Sequence, residues 1–179
     1  MVKGRLRPGR PPNGWRNRIV GEGERAADQF VANPDNWRRH PSAQEDALTA
    51  VLGRVGWVQR VVVSRRSGYV LDGHLRVLAA LKRGDATPVP YVEVDLTEHE
   101  EALVLATLDP LAGLAVADQP KLDELRALLP EDFADVAALV FADPAPGRTV
   151  QFTAREGTAK VVVECADRKS TRLNSSHRL

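Results

Sequence analysis

The stretch Asp72-Gly73-His74-Leu75-Arg76 sets a carboxylate, a position without a side chain, an imidazole and a guanidinium within one short turn of chain. The residues before it, Tyr69 to Leu71, suit a strand, and Leu75, Leu78 and Ala79 after it repeat at helical spacing. A strand running into a helix at Gly73 gathers unpaired amide hydrogens and the positive end of a helix dipole at one point, which attracts anions. Gly73 lets a phosphate approach the backbone, Arg76 adds a forked cation about a turn further on, and His74 offers a hydrogen bond or a share of charge. Gly73, His74 and Arg76 are therefore the candidate phosphate- or nucleotide-binding residues. Two other accounts use the same residues. Asp72 can cap the helix while Arg76 is merely solvated, or Asp72 and His74 can serve as catalytic residues of a metal-dependent nuclease. Capping is the expected role of Asp72, since aspartate at such a position satisfies free helix amides, and no second acidic pair stands at a spacing diagnostic of a nuclease.

A second cluster lies at Asn33-Pro34-Asp35-Asn36-Trp37-Arg38-Arg39-His40. Arg38 and Arg39 are candidate nucleic-acid contacts, and Trp37 is expected to anchor the turn in the core rather than to stack a base. Trp57 and Gln59 read as packing and positioning residues. His99 sits among Glu98, Glu100 and Glu101, a pattern expected of a solvated helical face. The single cysteine, Cys165, excludes an intrachain disulfide framework and argues against thiol catalysis; no metal-ligand set is expected.

The elements that must position these residues follow from the pattern. Arg18–Val20 and Gln29–Val31 are short strand candidates, and Asn33 to Asn36 is a turn. Ser42-Ala43-Gln44-Glu45 has the capping-box pattern and predicts a helix ending at Gly56. Val58–Ser64 and Tyr69–Leu71 predict a hairpin about Arg66-Ser67-Gly68; a helix from His74 to Gly84 and a strand over Val89–Val94 follow. Thr97-Glu98-His99-Glu100 is a second capping box, opening a helix through about Leu108. Lys121–Leu129 and Glu131–Phe141 read as two more helices, Asp143 to Gly147 as a linker, and Thr149–Thr153 and Lys160–Cys165 as strands.

Composition bounds the partners. At 179 residues with 43% hydrophobic content the chain can fill one sizeable core. No apolar run approaches the roughly 20 residues needed to span a bilayer, so a cytoplasmic location and no membrane partner are expected. Residues 1–18 carry Lys3, Arg5, Arg7, Arg10, Arg16 and Arg18 with no acid, and read as a basic flexible arm suited to polyanions. Residues 167–179 resemble the in-frame translation of a sequencing adapter and are set aside as an artefact, with the natural chain expected to continue past Ala166. Between these ends, residues 19–166 hold 15 basic and 23 acidic side chains, so any phosphate site there must be local. The expected organisation is the arm at 1–18, an α/β domain at 19–97, a helical extension at 98–141, and a linker with a truncated β module at 142–166.

From about Asn33 to Leu108 the chain resembles the N-terminal domain of the ParB-like (ParB/sulfiredoxin) superfamily. The likeness is carried by the Asn33-Pro34 turn, the helix ending in Gly56, Gln59 ahead of Val61-Val62-Val63, and the Gly-x-x-Arg turn Gly73 to Arg76. Ala79, Ala80 and Pro88-Val89-Pro90 extend it. The resemblance implies an α/β (α+β) fold, a small mixed sheet with packed helices. It also implies phosphate contacts by Gly73, His74 and Arg76, with Mg²⁺ and CTP or ATP as cofactors. A sulfiredoxin needs a nucleophilic cysteine in this turn, where His74 and Leu75 stand, so that activity is excluded. Partition proteins carry an asparagine- and arginine-rich motif on the helix after the sheet, and Leu105 to Leu111 contains neither residue. The chain looks closer to ParB-like nuclease-domain proteins of phages and of DNA-methyltransferase neighbourhoods. DNA, a DNA methyltransferase or another phage protein, and a second copy in a homodimer are the implied partners. The implied activity is that of a nuclease, a nucleotide hydrolase or a non-catalytic adaptor.

Overall fold

The computed structural model describes residues 14–141, 149–155 and 158–164. The chain opens with β1 (Ile19–Ala26), a 3-10 turn (Ala27–Gln29) and the short β2 (His40–Pro41), which leads into α1 (Ser42–Val55). Next come β3 (Val61–Ser64), β4 (Val70–Asp72), α2 (His74–Arg83) and β5 (Pro88–Val94). The helices α3 (Glu98–Ala112), α4 (Gln119–Ala127) and α5 (Ala134–Phe141) follow, the last entered through a 3-10 turn at Glu131–Phe133. A hairpin of β6 (Thr149–Arg155) and β7 (Thr158–Glu164) completes the described chain.

Four strands form one mixed sheet in the order β1-β5-β3-β4. β3 runs parallel to β5 and antiparallel to β4, while β1 lies at an edge, antiparallel to β5, from Ile19 opposite Val94 to Ala26 opposite Pro88. The predicted mixed sheet with packed helices is thus the observed architecture. A second sheet, β2-β6-β7, joins His40 and Pro41 to Val150 and Thr149.

The core is built where the sheet meets α2. Val61, Val63, Val70 and Val89 from the strands close on Leu75, Val77, Leu78 and Ala80 of the helix, with Phe30 and Ala32 filling the end of the sheet. Burying each such large aliphatic side chain contributes about 1.5–3 kcal/mol, so α2 is fixed to the sheet along most of its length. That fixing is what holds its N-terminus still. α1 is tied to α2 by the buried carboxylate of Glu45, which pairs with Lys82, and to the α5 region by Arg54, which reaches Asp132 at 2.8 Å and Asp135 at 3.3 Å.

Several expected boundaries move for identifiable reasons. The strand expected at Gln29–Val31 is instead the 3-10 turn followed by a lone parallel bridge from Val31 to Tyr69. The capping box at Ser42 does not form: Pro41 takes the N-cap position without a side-chain cap, and Glu45 is drawn to Lys82. The box at Thr97 does form, Thr97 Oγ1 accepting from the Glu100 amide at 3.4 Å and Glu100 Oε2 from the Thr97 amide at 2.8 Å. α3 then runs past the expected end, carrying Pro110 inside it to Ala112. The expected linker at 143–147 and Cys165 lie outside the described residues.

Candidate functional site

Gly73 is the hinge of the β4–α2 junction, with φ 93° and ψ 19° in the left-handed region. A Cβ built there would meet Arg76 Nη1 at 3.0 Å and Val61 Cγ2 at 3.1 Å, so both backbone conformation and space call for glycine. The Val77 amide donates to the Gly73 carbonyl at 3.1 Å, starting the helix, and the earlier first-turn amides lack intrahelical partners, as at any helix start. The expected strand–glycine–helix turn is therefore present.

Asp72 does not cap this helix, contrary to the expectation from sequence. Gly73 is the N-cap residue and no side chain caps the turn. The carboxylate instead accepts from Arg76 Nη1 at 3.3 Å, while Arg76 Nη2 donates to Gln59 Oε1. Gln59 acts as the positioning residue that the sequence suggested. Arg76 is not a freely solvated helix residue either, since its side chain is only 18% exposed.

His74 is buried beneath the turn. Burial pushes its pKa down from 6.5 to about 4, with His40 and Arg38 adding to the lowering, while Asp72 and a hydrogen bond with the Val70 backbone oppose it. At neutral pH the imidazole is held uncharged, so it is a polar wall rather than a cation.

The second sequence cluster faces this turn. Trp37 is 57% exposed, which overturns its expected place in the core, and its Nε1 donates to the Leu105 carbonyl of α3 at 3.1 Å. Arg38 pairs with Asp109 of α3, and its guanidinium lies 5.3 Å from the Trp37 ring centre. His40 is buried, its Nδ1 2.9 Å from Gln44 Oε1. Local turns set this geometry: the Asp35 amide donates to Asn33 Oδ1 at 2.9 Å and the Arg38 amide to Asn36 Oδ1 at 3.3 Å.

Between these walls lies a cleft of about 730 Å³. Asp72, Gly73, His74 and Arg76 of the β4–α2 turn line it together with Trp37, Arg38 and His40 of the second cluster and with Leu105 and Asp109 of α3. The structure thus brings Arg38 to the candidate turn but leaves Arg39 exposed and outside the cleft wall.

The chain is similar to ParB N-terminal domains of known structure. The truncated chromosome-partitioning protein ParB from Caulobacter crescentus, complexed with CTP-γ-S, matches at 21% identity, 67% coverage of this chain and 70% of that chain, with a TM-score of 0.47. A Pnob8-like ParB-N domain matches at 16% identity over 49% of this chain and 35% of that chain, with a TM-score of 0.41. No protein-family model and no curated protein matches the chain.

Two carboxylates of α3 escaped the sequence reading. Asp109 stands on the stretch noted only for what it lacks, and nothing local announces that it pairs with Arg38. Glu101, expected on a solvated face, is buried instead. Its Oε1 accepts from Ser64 Oγ and from Arg66 Nε at 3.1 Å, and its Oε2 from Arg66 Nη2 at 2.9 Å and Ser67 Oγ at 3.1 Å. This carboxylate clamps α3 to the β3–β4 turn and so sets where Leu105 and Asp109 stand. Among the described residues no group of three or more His, Cys, Asp or Glu side chains is placed to hold a metal ion.

Proposed function

We propose that the cleft binds a phosphate of a nucleotide triphosphate or of nucleic acid, with the Gly73 turn and Arg76 as the anion grip and Arg38 as a second cation in the same cleft. The observation that supports this most directly is the convergence of Gly73, Arg76, Arg38 and the exposed Trp37 on one cleft. First-turn amides and a helix dipole favour a bound anion, and two guanidiniums can fork onto its oxygens. An aromatic side chain on the same wall suits an attached base. The Gly-x-x-Arg resemblance nominates CTP and ATP, with Mg²⁺ accompanying them. It also points to DNA metabolism in phages or other mobile elements, with a DNA methyltransferase among the protein partners. The basic residues of the first 18 positions suit a further contact with DNA.

The nuclease reading gains less support. Asp72 is engaged by Arg76 and His74 is buried, so neither presents itself as an open metal ligand in this geometry.

Calorimetric titration of the full chain with CTP, ATP and a short DNA, each with Mg²⁺, tests the proposal. Binding should fall at least tenfold in Arg76→Ala, the loss expected when a charge-assisted pair of roughly 1.5–3 kcal/mol is removed. Unchanged affinity in that variant would remove the turn from the site. Mg²⁺-dependent nicking of the DNA that disappears in Asp72→Ala would establish the nuclease reading instead.

A further inference from the structure

His40 and Pro41 do three things at once. Both line the cleft, where His40 is buried, and Pro41 is the residue from which α1 starts. Together they are also β2, the strand on which the hairpin of β6 and β7 docks, His40 opposite Val150 and Pro41 opposite Thr149. β6 lies against α2 as well, the helix whose first turn carries His74 and Arg76. The hairpin therefore reaches both elements that frame the candidate phosphate site.

The attachment to β2 is narrow. Residues facing one another across an antiparallel ladder alternate between pairs that exchange both backbone hydrogen bonds and pairs that exchange none. Pro41 has no amide hydrogen to give, so the pair that bonds is His40 with Val150. Within the hairpin, by contrast, β6 and β7 pair along their whole length, from Thr149 opposite Glu164 to Arg155 opposite Thr158. A unit with a long internal ladder and a short external one leaves its docking site as a whole. An isolated two-stranded hairpin is only marginally stable in water, so docking on α2 and β2 also favours its own folding. His40 is tied on its other side too, with Nδ1 2.9 Å from Gln44 Oε1 of α1. Val150 thus holds the main chain of a residue in the cleft wall.

We infer that the β6–β7 hairpin is a strap of the ligand site: docked, it holds β2 and α2 at the spacing that the ligand meets, and a bound ligand holds the hairpin docked in return. This rests on the phosphate-binding reading above. Docking and ligand binding are linked, so each favours the other by the same factor. The site is then open to control from outside the cleft, because whatever draws the hairpin away from β2 weakens ligand binding without entering the site. Val150 is a positioning residue in this scheme, acting through the main chain of His40.

The test combines calorimetric titration of the full chain with CTP, ATP and a short DNA, each with Mg²⁺, and hydrogen exchange read by mass spectrometry. Val150→Pro deletes the amide that bonds to His40, and Val150→Ala keeps it. Successive amides of a strand point to opposite neighbours, so the proline spares the ladder to β7. Val150→Pro should weaken binding of the ligand that the wild type takes by about tenfold, while Val150→Ala stays within about threefold. By the same linkage, that ligand at saturation should slow exchange of the β6 amides, residues 149–155, by about tenfold in the wild type. A hairpin that served stability alone would give neither the loss nor the slowing. Circular dichroism checks that both variants are folded; if Val150→Pro is not, the exchange measurement on the wild type decides by itself. Folded Val150→Pro that binds within about threefold of the wild type overturns the inference and leaves the phosphate site standing. So does exchange over β6 that a saturating ligand leaves unchanged. If none of the three ligands binds the wild type, the phosphate-binding reading falls, and the strap with it.

Discussion

At the scale of single residues, the structure gives Gly73 and His74 separate and measurable consequences. Any side chain at Gly73 meets the strand wall at Val61 and must adopt a left-handed backbone. Gly73→Ala is therefore expected to lower stability by about 1–3 kcal/mol, read as a shift in the urea midpoint at constant m-value. His74 ties stability to pH. Its folded pKa of about 4 lies below its ordinary 6.5, so the unfolded chain binds the proton first. Stability should be unaffected above about pH 6.5, fall by up to about 1.4 kcal/mol per pH unit from there towards pH 4, and receive no further change from this group below that. Urea titrations across this range should show a shallower dependence in His74→Gln. An identical slope in the two proteins would show that His74 is not the group responsible.

Elements decide which residues of the cleft face one another, and here α3 matters most. Its N-terminal turn is capped by Thr97 and Glu100, its buried Glu101 grips the β3–β4 turn, and its middle meets Trp37 and Arg38. Glu101→Ala leaves Arg66 and the buried Ser64 without their acceptor. A loss of about 1–3 kcal/mol is expected, the cost of leaving the buried Ser64 hydroxyl without its acceptor, since Arg66 is 45% exposed and can turn to water. Trp37 fluorescence, read in a Trp15→Phe, Trp57→Phe background that removes the other two tryptophans, reports the displacement of α3: a spectrum unchanged by Glu101→Ala at equal folded fraction would show that Glu101 does not position the cleft wall. The two capping boxes show what the sequence could and could not disclose. Thr97 to Glu100 and Ser42 to Glu45 have the same pattern, and only the first closes. The second fails because Pro41, paired with Thr149 in a distant strand, fixes the entry of α1, and Lys82 claims Glu45. The Gly73–Arg76 turn was legible for the opposite reason, since a strand, a glycine and an amphipathic helix are local facts. Arg38 meeting Asp109 was not, because their pairing depends on how α3 crosses the cleft. Trp37 was misjudged for the same cause: a large aromatic in a turn usually packs inward, but here its partner is a helix backbone carbonyl at the rim.

On the scale of the whole molecule, charge is divided between the first 18 residues and the rest. Six basic residues with no acid precede a body, residues 19–166, in which 23 acidic side chains outnumber 15 basic ones. Affinity for DNA and affinity for a small phosphate ligand should therefore respond differently to salt. Arg16 and Arg18 are held by Glu100, so removing residues 1–15, with Lys3, Arg5, Arg7 and Arg10, is expected to flatten the dependence of log K for double-stranded DNA on log salt by up to about 3.6, given a slope of roughly −0.9 per phosphate neutralised. Nucleotide binding should change by less than about threefold. Filter binding over a salt series decides this, and an unaltered slope would exclude the arm as the source of the electrostatic contact. No helix among the described residues is long and apolar enough to cross a bilayer.

The edge position of β1 also governs the order in which the fold can be assembled. β1 is the first element of the described chain, yet its sheet neighbour is β5, and Ile19 has no partner until Val94 exists. On a ribosome, the β3–β4 hairpin and α2 are complete while β1 still lacks a strand to pair with. β1 is thus obliged to wait for the last strand of its own sheet, and a nascent chain paused before residue 88 would leave eight residues of β1 without their ladder.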